Sequence, residues 1–191
     1  MIARVERLFT PEEYLSIERS SDFKSEFYCG KIYAMAGASP EHSVITMNVG
    51  GEFYSQLKDT SCRTYSSDLR VYANATGLYT YPDITVVCGE PEFFDERRDV
   101  LLNPTVIVEV LSPSTEMYDL GEKGEHYRQI TSLTDYVLVA QEKRWVRHYA
   151  RRGDNEWMMT DTTASDGEVG LPSIGCSLRF TDIYAKVLIP V

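Results

Sequence analysis

Hydrophobic residues recur with the period of an amphipathic helix in one long segment of the chain. After Ser39-Pro40-Glu41, apolar side chains stand every four residues, at Ile45, Val49, Phe53 and Leu57. This spacing places them on one helical face, and a serine followed by a proline is typical of a helix start. The segment is therefore predicted to be a helix that packs against the core.

Shorter signals predict three further helices. Thr10-Pro11-Glu12-Glu13 combines a capping residue, a proline at the first helical position and a glutamate three residues after the cap. This helix is expected to end near Arg19. Another is predicted from Met117 to Ile130, and a last one begins at Thr181-Asp182.

Alternating or continuous apolar runs predict the strands 23–29, 32–36, 63–73, 81–87, 105–111, 135–140, 145–150 and 156–160. The first two form a hairpin across Gly30-Lys31, and 135–140 with 145–150 form another. This order predicts an α/β (α+β) fold in which a central mixed sheet is flanked by helices. The length fits a single domain over residues 1–191.

The sequence indicates neither a leader nor a membrane helix. Met1 to Arg7 carries charges where a signal peptide needs an apolar run, and the apolar run 106–111 is far shorter than the ~20 residues of a membrane span. We therefore expect a cytoplasmic protein.

The cysteines point to the same compartment. None of them belongs to a C-x-x-C pair, and they are widely separated: Cys29, Cys62, Cys88 and Cys176. Because this pattern is not that of a zinc knuckle or a redox pair, all four are expected to be buried free thiols.

The charge balance restricts the partners. With 19 Lys and Arg against 29 Asp and Glu, the net charge is −10, which argues against tight, unaided binding of nucleic acid. Bound cations would offset this charge, and so would a local basic patch, for which the candidates are Arg144, Arg147, Arg151 and Arg152.

Glu109 is the sharpest chemical feature of the sequence. It lies in Val106-Ile107-Val108-Glu109-Val110-Leu111, where strand alternation puts it on one face with Ile107 and Leu111. Because a lone buried carboxylate is costly, a compensating partner is required. That partner is an arginine or lysine of the protein, a metal ion, or water at the end of the strand.

Three other residues are candidates for a common site with Glu109. Asp83 follows Pro82 at the start of an apolar strand, Glu26 lies in a hairpin strand, and Lys123 shares a helical face with Tyr127. Taken singly, they read as a turn acid, a surface acid and a lysine paired with Asp119. Taken together, two or three carboxylates and one lysine are what a magnesium-dependent phosphodiesterase needs.

These residues, in this order, resemble the PD-(D/E)XK nuclease superfamily, and the chain is most similar to the Uma-two family of endonucleases. The similarity covers about Thr10 to Tyr184 and is most specific in the segment Asn103-Pro104-Thr105-Val106-Ile107-Val108-Glu109-Val110-Leu111-Ser112-Pro113-Ser114-Thr115. It implies a restriction-endonuclease-like core and metal-dependent hydrolysis of DNA with Mg²⁺ or Mn²⁺.

The resemblance also assigns roles. Asp83 and Glu109 match the metal-binding acids, Glu26 matches the additional acid, and Lys123 matches the catalytic lysine. The lysine position of the wider superfamily, two residues after the second acid, holds Leu111. His42, Tyr127 and Ser112 are candidates for contact with the substrate.

Two alternatives stay open. The acidic balance favours a catalytically inactive, protein-binding member of the same fold, and a closed pocket would favour a smaller phosphoester substrate. Strands rich in aromatic and β-branched residues suggest a homodimer or higher homo-oligomer. Base stacking is one role open to Trp145, Tyr149 and Trp157, but sheet packing or an oligomer contact is favoured.

Overall fold

A computed structural model of the chain describes residues 7–163 and 167–189, and the charged start at residues 1–6 lies outside them. The helical elements are α1 (Pro11–Glu18), α2 (Pro40–Leu57), α3 (Glu116–Tyr118), a π-helical turn (Asp119–Lys123), α4 (Gly124–Arg128) and α5 (Phe180–Ile183). The strands are β1 (Ser25–Tyr28), β2 (Lys31–Ala34), β3 (Cys62–Ser66), β4 (Arg70–Ala73), β5 (Leu78–Thr80), β6 (Ile84–Cys88), β7 (Val100–Leu101), β8 (Val106–Leu111), β9 (Asp135–Ala140), β10 (Val146–Gly153), β11 (Glu156–Thr162), β12 (Glu168–Leu171) and β13 (Cys176–Arg179). In this part of the chain no helix is both long and apolar enough to cross a membrane.

A six-stranded mixed sheet forms the centre, in the order β11-β10-β9-β8-β6-β3. β8 and β9 run parallel, and the other neighbours run antiparallel. All six residues of β8 are buried, as its β-branched run predicts. The predicted mixed sheet flanked by helices is confirmed.

The two faces of this sheet build two different cores. On one face the predicted apolar stripe of α2 packs against alternate residues of β6, β8 and β9, together with α5 and the β12–β13 hairpin. On the other face Ile107 and Leu111 pack with Tyr127 from α4 and with residues of β4 and β5. Glu109 belongs to this second face, so the predicted sharing of a face with Ile107 and Leu111 is confirmed.

The first predicted hairpin is present but belongs to a separate five-stranded sheet, in the order β2-β1-β5-β4-β7. The extended segment 63–73 is split between the two sheets, with β3 in the central sheet and β4 in the second. A small aromatic core, in which Tyr14 of α1 stacks on Phe27 of β1, ties the second sheet to the N-terminal helix. This second sheet brings β1 over the face that carries Glu109.

The helix predicted over 117–130 is confirmed as a continuous helical segment over residues 116–128, but its interior is not α-helical. Five residues, Asp119–Lys123, form a π-helical turn between two short α-helical pieces, α3 and α4. A π turn widens the helix locally and is frequent at functional sites. Here it buries both of its ends, Asp119 and Lys123.

The prediction of four buried free thiols is wrong at every cysteine except Cys176. Cys62 and Cys88 form a disulfide, because β3 and β6 pair antiparallel with these two residues directly opposite each other. Cys29 is exposed, and Cys176 is a buried thiol. A cysteine pair 26 residues apart carries no spacing signal, so only the strand register reveals it.

Candidate active site

The register of the central sheet sets Asp83 against Glu109. Ile84 pairs with Val108 across β6 and β8, so continuing the antiparallel register by one residue places Asp83 opposite Glu109. At this end of the β6–β8 pairing, two hydrogen bonds from backbone N–H groups to carboxylates follow the last strand pair. Asp83 N–H donates to Glu109 Oε2 at 3.3 Å, and Val110 N–H donates to Asp83 Oδ2 at 2.7 Å. Each carboxylate is therefore braced by the backbone beside the other.

Lys123 enters this region from the end of the π-helical turn. Its Nζ lies 2.9 Å from Glu109 Oε1, 3.0 Å from Glu26 Oε1 and 3.5 Å from Asp119 Oδ1. The Lys123 side chain is 7% exposed, so all three ion pairs lie in a largely dry environment. One ammonium thus connects acids from a β-hairpin, a central strand and its own helical segment.

Two hydroxyl groups complete the network. Tyr127 OH donates to Glu109 Oε1 at 2.7 Å, and Thr80 Oγ1 donates to Glu26 Oε1 at 2.5 Å. Thr80 lies at the end of β5, one residue beyond the Phe27–Tyr79 pair, so the second sheet presents it opposite Glu26. The two hydroxyls are 3.3 Å apart, and they contact the same two carboxylate oxygens that Lys123 contacts.

Burial and charge act in opposite directions on these groups. Burial raises the pKa of Glu109 to about 8, while the nearby Lys123 ammonium lowers it. Burial likewise raises the pKa of Asp119, again opposed by Lys123. The surrounding carboxylates outweigh burial at Lys123 and raise the pKa of its ammonium well above the usual value. The cluster therefore keeps a protonated lysine, whose charge opposes the rise in the pKa of Glu109 and Asp119.

The predicted site residues differ in how they enter this cluster. Glu26, Asp83, Glu109 and Lys123 are brought together, and His42, at the start of α2, joins them with Nε2 3.1 Å from Asp83 Oδ2. Ser112, in contrast, bonds to Ser114 and Thr115 and lines a shallow pocket at the ends of β8 and β9. Tyr127 is fully buried, so its place is behind Glu109 and not on a surface open to substrate.

Sequence reasoning gave no site role to Asp119 and Thr80. The spacing of four residues between Asp119 and Lys123 indicated an ion pair, which the structure contains as one of three. Thr80 carried no signal, because its role depends on the pairing of β5 with β1 in the second sheet.

The chemistry of the donor set fits a hard divalent cation. Glu26, Asp83 and Glu109 supply the carboxylate oxygens that Mg²⁺ and Mn²⁺ prefer. Within residues 7–163 and 167–189, however, no three His, Cys, Asp or Glu side chains stand ready as a ligand shell. The Lys123 ammonium supplies the positive charge between Glu26 and Glu109, so a cation at Asp83 and Glu109 would share Glu109 with it.

Comparison with known proteins gives consistent results. The family model Uma2, described as "Putative restriction endonuclease", matches residues 11–181. Two uncharacterised Synechocystis proteins are similar to the chain. One is 34% identical over 169 residues, which is 88% of this chain and 96% of the relative. The other is 37% identical over 175 residues, which is 92% of this chain and 90% of the relative.

A solved structure extends the likeness to the fold. The crystal structure of "a putative nuclease belonging to DUF820" from Anabaena variabilis superposes with a TM-score of 0.76. The superposition covers 93% of this chain and 98% of that chain at 20% sequence identity, which shows a shared fold. With the family model matching most of its length, this chain belongs to the Uma2 family and has the restriction-endonuclease-like, mixed α/β fold that its sequence predicts.

Proposed function

We propose that this protein is a metal-dependent endonuclease that hydrolyses phosphodiester bonds of DNA. The observation that carries the proposal is the buried Lys123 ammonium, 2.9 Å from Glu109 and 3.0 Å from Glu26, at the point where Asp83 faces Glu109. Acids and a lysine that are far apart in sequence converge there. Structural ion pairs need only two such groups, whereas phosphodiester hydrolysis uses several acids and a cation together.

In this proposal Asp83 and Glu109 hold Mg²⁺ or Mn²⁺, with Glu26 as the additional acid. The bound ion would supply a water of lowered pKa and neutralise charge that grows on the phosphate. Lys123, fixed by its carboxylates, orients the attacking water and stabilises the same negative charge. Tyr127 keeps Glu109 oriented through its hydroxyl, so it acts through Glu109 and not on substrate.

The exposure of the site indicates where substrate enters. The side chains of Asp83 and His42 are 17% and 15% exposed, while those of Glu109 and Lys123 lie deeper. Asp83 and His42 are therefore the groups that an arriving phosphodiester meets first, and Ser112 lies farther along the same end of β8. A homodimer would set two such sites on the two strands of a duplex, and sedimentation velocity showing only monomer at working concentration would count against it.

A cleavage assay tests the proposal directly. Supercoiled plasmid is incubated with wild-type protein in Mg²⁺, in Mn²⁺ and in EDTA, and nicked and linear products are measured. Asp83→Asn, Glu109→Gln and Lys123→Met are each expected to lower the rate by at least ~100-fold. Glu122→Gln is the control, because Glu122 is an exposed acid next to Lys123, and it should cleave like wild type.

Wild-type protein that cleaves no DNA with either metal would falsify the proposed activity. Cleavage that all three variants retain would place the activity elsewhere in the molecule.

Two observations favour the non-enzymatic alternative. Glu26 and Glu109 are already paired with Lys123, and the chain carries a net charge of −10. Calorimetry with Mn²⁺ separates the two functions. Binding that is weakened at least ~10-fold by Glu109→Gln supports the nuclease, whereas no binding, or binding unchanged by that substitution, supports a protein-binding role.

A further inference from the structure

The positive charge of this acidic chain is concentrated in one segment. Residues 143–152 contain five of the 19 Lys and Arg residues and no Asp or Glu, although the net charge of the chain is −10. This segment is the turn before β10 and most of β10 itself. A nuclease that approaches a polyanion needs such a local concentration of charge.

Not all five cations are available to a ligand. Arg151 donates to four backbone carbonyls, those of Arg128, Ile130, Leu133 and Asp154, and so holds the end of α4 against β10. It is therefore a structural arginine. Lys143 and Arg144, in contrast, are exposed in the turn that precedes β10.

Trp145 contacts two of the remaining cations, whereas Arg144 lies over the ring of Tyr184. Lys143 Nζ lies 5.0 Å and Arg147 Cζ 5.1 Å from the centre of its ring, within cation–π range. Arg147 is oriented by Asp161 through bonds of 2.7 Å and 2.8 Å from Nε and Nη2, which leaves its Nη1 donors outside this pair. We call Lys143, Arg144, Trp145 and Arg147 the cationic platform.

The sheet register connects the platform to the site. Glu109 pairs with Leu138 across β8 and β9, and Leu138 pairs with Arg147 across β9 and β10. Glu109, Leu138 and Arg147 thus form one row with side chains on one face of the sheet. Two strand spacings separate the backbone of Glu109 from that of Arg147, or about 10 Å.

From this arrangement we propose that the cationic platform binds the phosphodiester backbone of the nucleic acid whose cleavage was proposed above. A guanidinium that is already oriented offers a fork to phosphate oxygens, and the neighbouring ammonium adds a second contact. The half-buried indole ring provides a surface on which a sugar or an unstacked base packs. The platform places positive charge about 10 Å from the backbone of Glu109, and it explains how a chain of net charge −10 approaches a polyanion. This inference rests on the proposed function for the identity of the ligand.

Binding measured in EDTA separates the platform from the chemistry. Fluorescence anisotropy with a fluorescein-labelled oligonucleotide, single-stranded and then duplex, is recorded from ~25 to ~200 mM salt. For the variant Lys143→Ala/Arg144→Ala/Arg147→Ala, the slope of log K against log salt should become shallower by about 2, since each lost phosphate contact removes ~0.7–0.9. Affinity at the lowest salt should fall at least ~10-fold.

The double variant Lys143→Ala/Arg144→Ala keeps the Arg147–Asp161 pair, and therefore the hairpin, intact. Its slope should become shallower by about two thirds of the change expected for the triple variant. The matched control is Lys58→Ala/Arg63→Ala/Arg179→Ala, which removes three exposed cations elsewhere and lowers the net charge equally. Its slope should stay that of wild type.

Three results would overturn the inference: no binding by wild-type protein at ~25 mM salt, a wild-type slope in both platform variants, or equal losses in platform and control variants. Cleavage is measured in parallel, so the two proposals can fail separately. Platform-dependent binding without cleavage supports this inference and refutes the enzyme. Cleavage and binding that are both unchanged in the two platform variants support the enzyme and refute this inference.

Discussion

Replacing Lys123 by methionine tests whether one ammonium holds the candidate site together. Methionine keeps most of the side-chain volume and removes the charge that now lies within 3.5 Å of Glu26, Glu109 and Asp119. The three acids lie in the interior, so the variant leaves them with hydroxyl and amide donors but no cation. We expect the Lys123→Met protein to fold but to be much less stable.

The size of the loss follows from burial. Removing one partner of a buried ion pair leaves an uncompensated charge and typically costs ~3–5 kcal/mol. For a chain of this length each kcal/mol corresponds to about 2–4 °C in melting temperature, so a fall of roughly 6–20 °C is expected. The double variant Lys123→Met/Glu109→Gln should recover part of this loss, because one of the buried acids is then neutral.

The loss should also depend on pH in a defined direction. Burial raises the pKa of Glu109 and of Asp119, and Lys123 opposes that effect at both. Without Lys123 both pKa values rise further. A carboxyl group whose pKa is higher in the folded than in the unfolded state stabilises the fold at low pH and loses that contribution as pH rises. The deficit of the variant should therefore be smallest near pH 5 and grow toward pH 9.

Urea unfolding at several pH values measures this deficit, with exposed Lys58→Met as the control that removes an equal charge. A deficit below ~1 kcal/mol at pH 8, or one that shrinks as pH rises, would refute the idea that Lys123 neutralises buried acids.

Two other predictions concern stability away from the site. Asp135 accepts bonds from His148, Thr134 and Ser173, and its pKa is lowered by these hydrogen bonds against the opposing effect of burial. Its stabilisation should thus be present above its unfolded pKa and be lost as pH falls through its folded pKa, so Asp135→Asn should cost about 2–3 kcal/mol at pH 7 and progressively less below pH 4 in urea titrations. Reducing the Cys62–Cys88 disulfide opens a link across 26 residues, which corresponds to about 3.5 kcal/mol in the chain-entropy model; a Cys62→Ser/Cys88→Ser protein as stable as the oxidised wild type would contradict this expectation.

The central sheet and its buried acid were predictable because both follow from short-range patterns. The apolar residues every four positions in α2 and the continuous apolar run of β8 each define a buried face. A carboxylate on such a face, as at Glu109, needs a compensating cation, either from the protein or from bound metal. The resemblance to a known family then supplied Asp83, Glu26 and Lys123. Local periodicity alone left each of these three open.

What escaped prediction depends on pairings between distant segments. The Cys62–Cys88 bond and the contact of Thr80 with Glu26 both require the register of strands separated by tens of residues. The apolar pattern is equally compatible with one sheet and with two, so the second sheet was not predicted. Sequence periodicity fixes which side chains share a face, but not which strand lies beside which.

The π-helical turn shows why this site needs an irregular element. Leu111, two residues after Glu109, is buried with Ile107 and Tyr127 in the core, so a lysine at that position would remove an apolar contact from the second face of the sheet. Supplying the ammonium from the following helix leaves Leu111 in place, but the lysine must then reach inward across a helix surface. The π turn achieves this by burying Asp119 and Lys123 together, four residues apart, with Asp119 as an acceptor that does not belong to β1 or β8.

If Asp119 acts only through Lys123, Asp119→Asn should weaken Mn²⁺ binding in wild-type protein and have no effect in Lys123→Met, since the coupling in such a cycle isolates the pair. An equal effect in both backgrounds would instead make Asp119 a direct contributor to the ion.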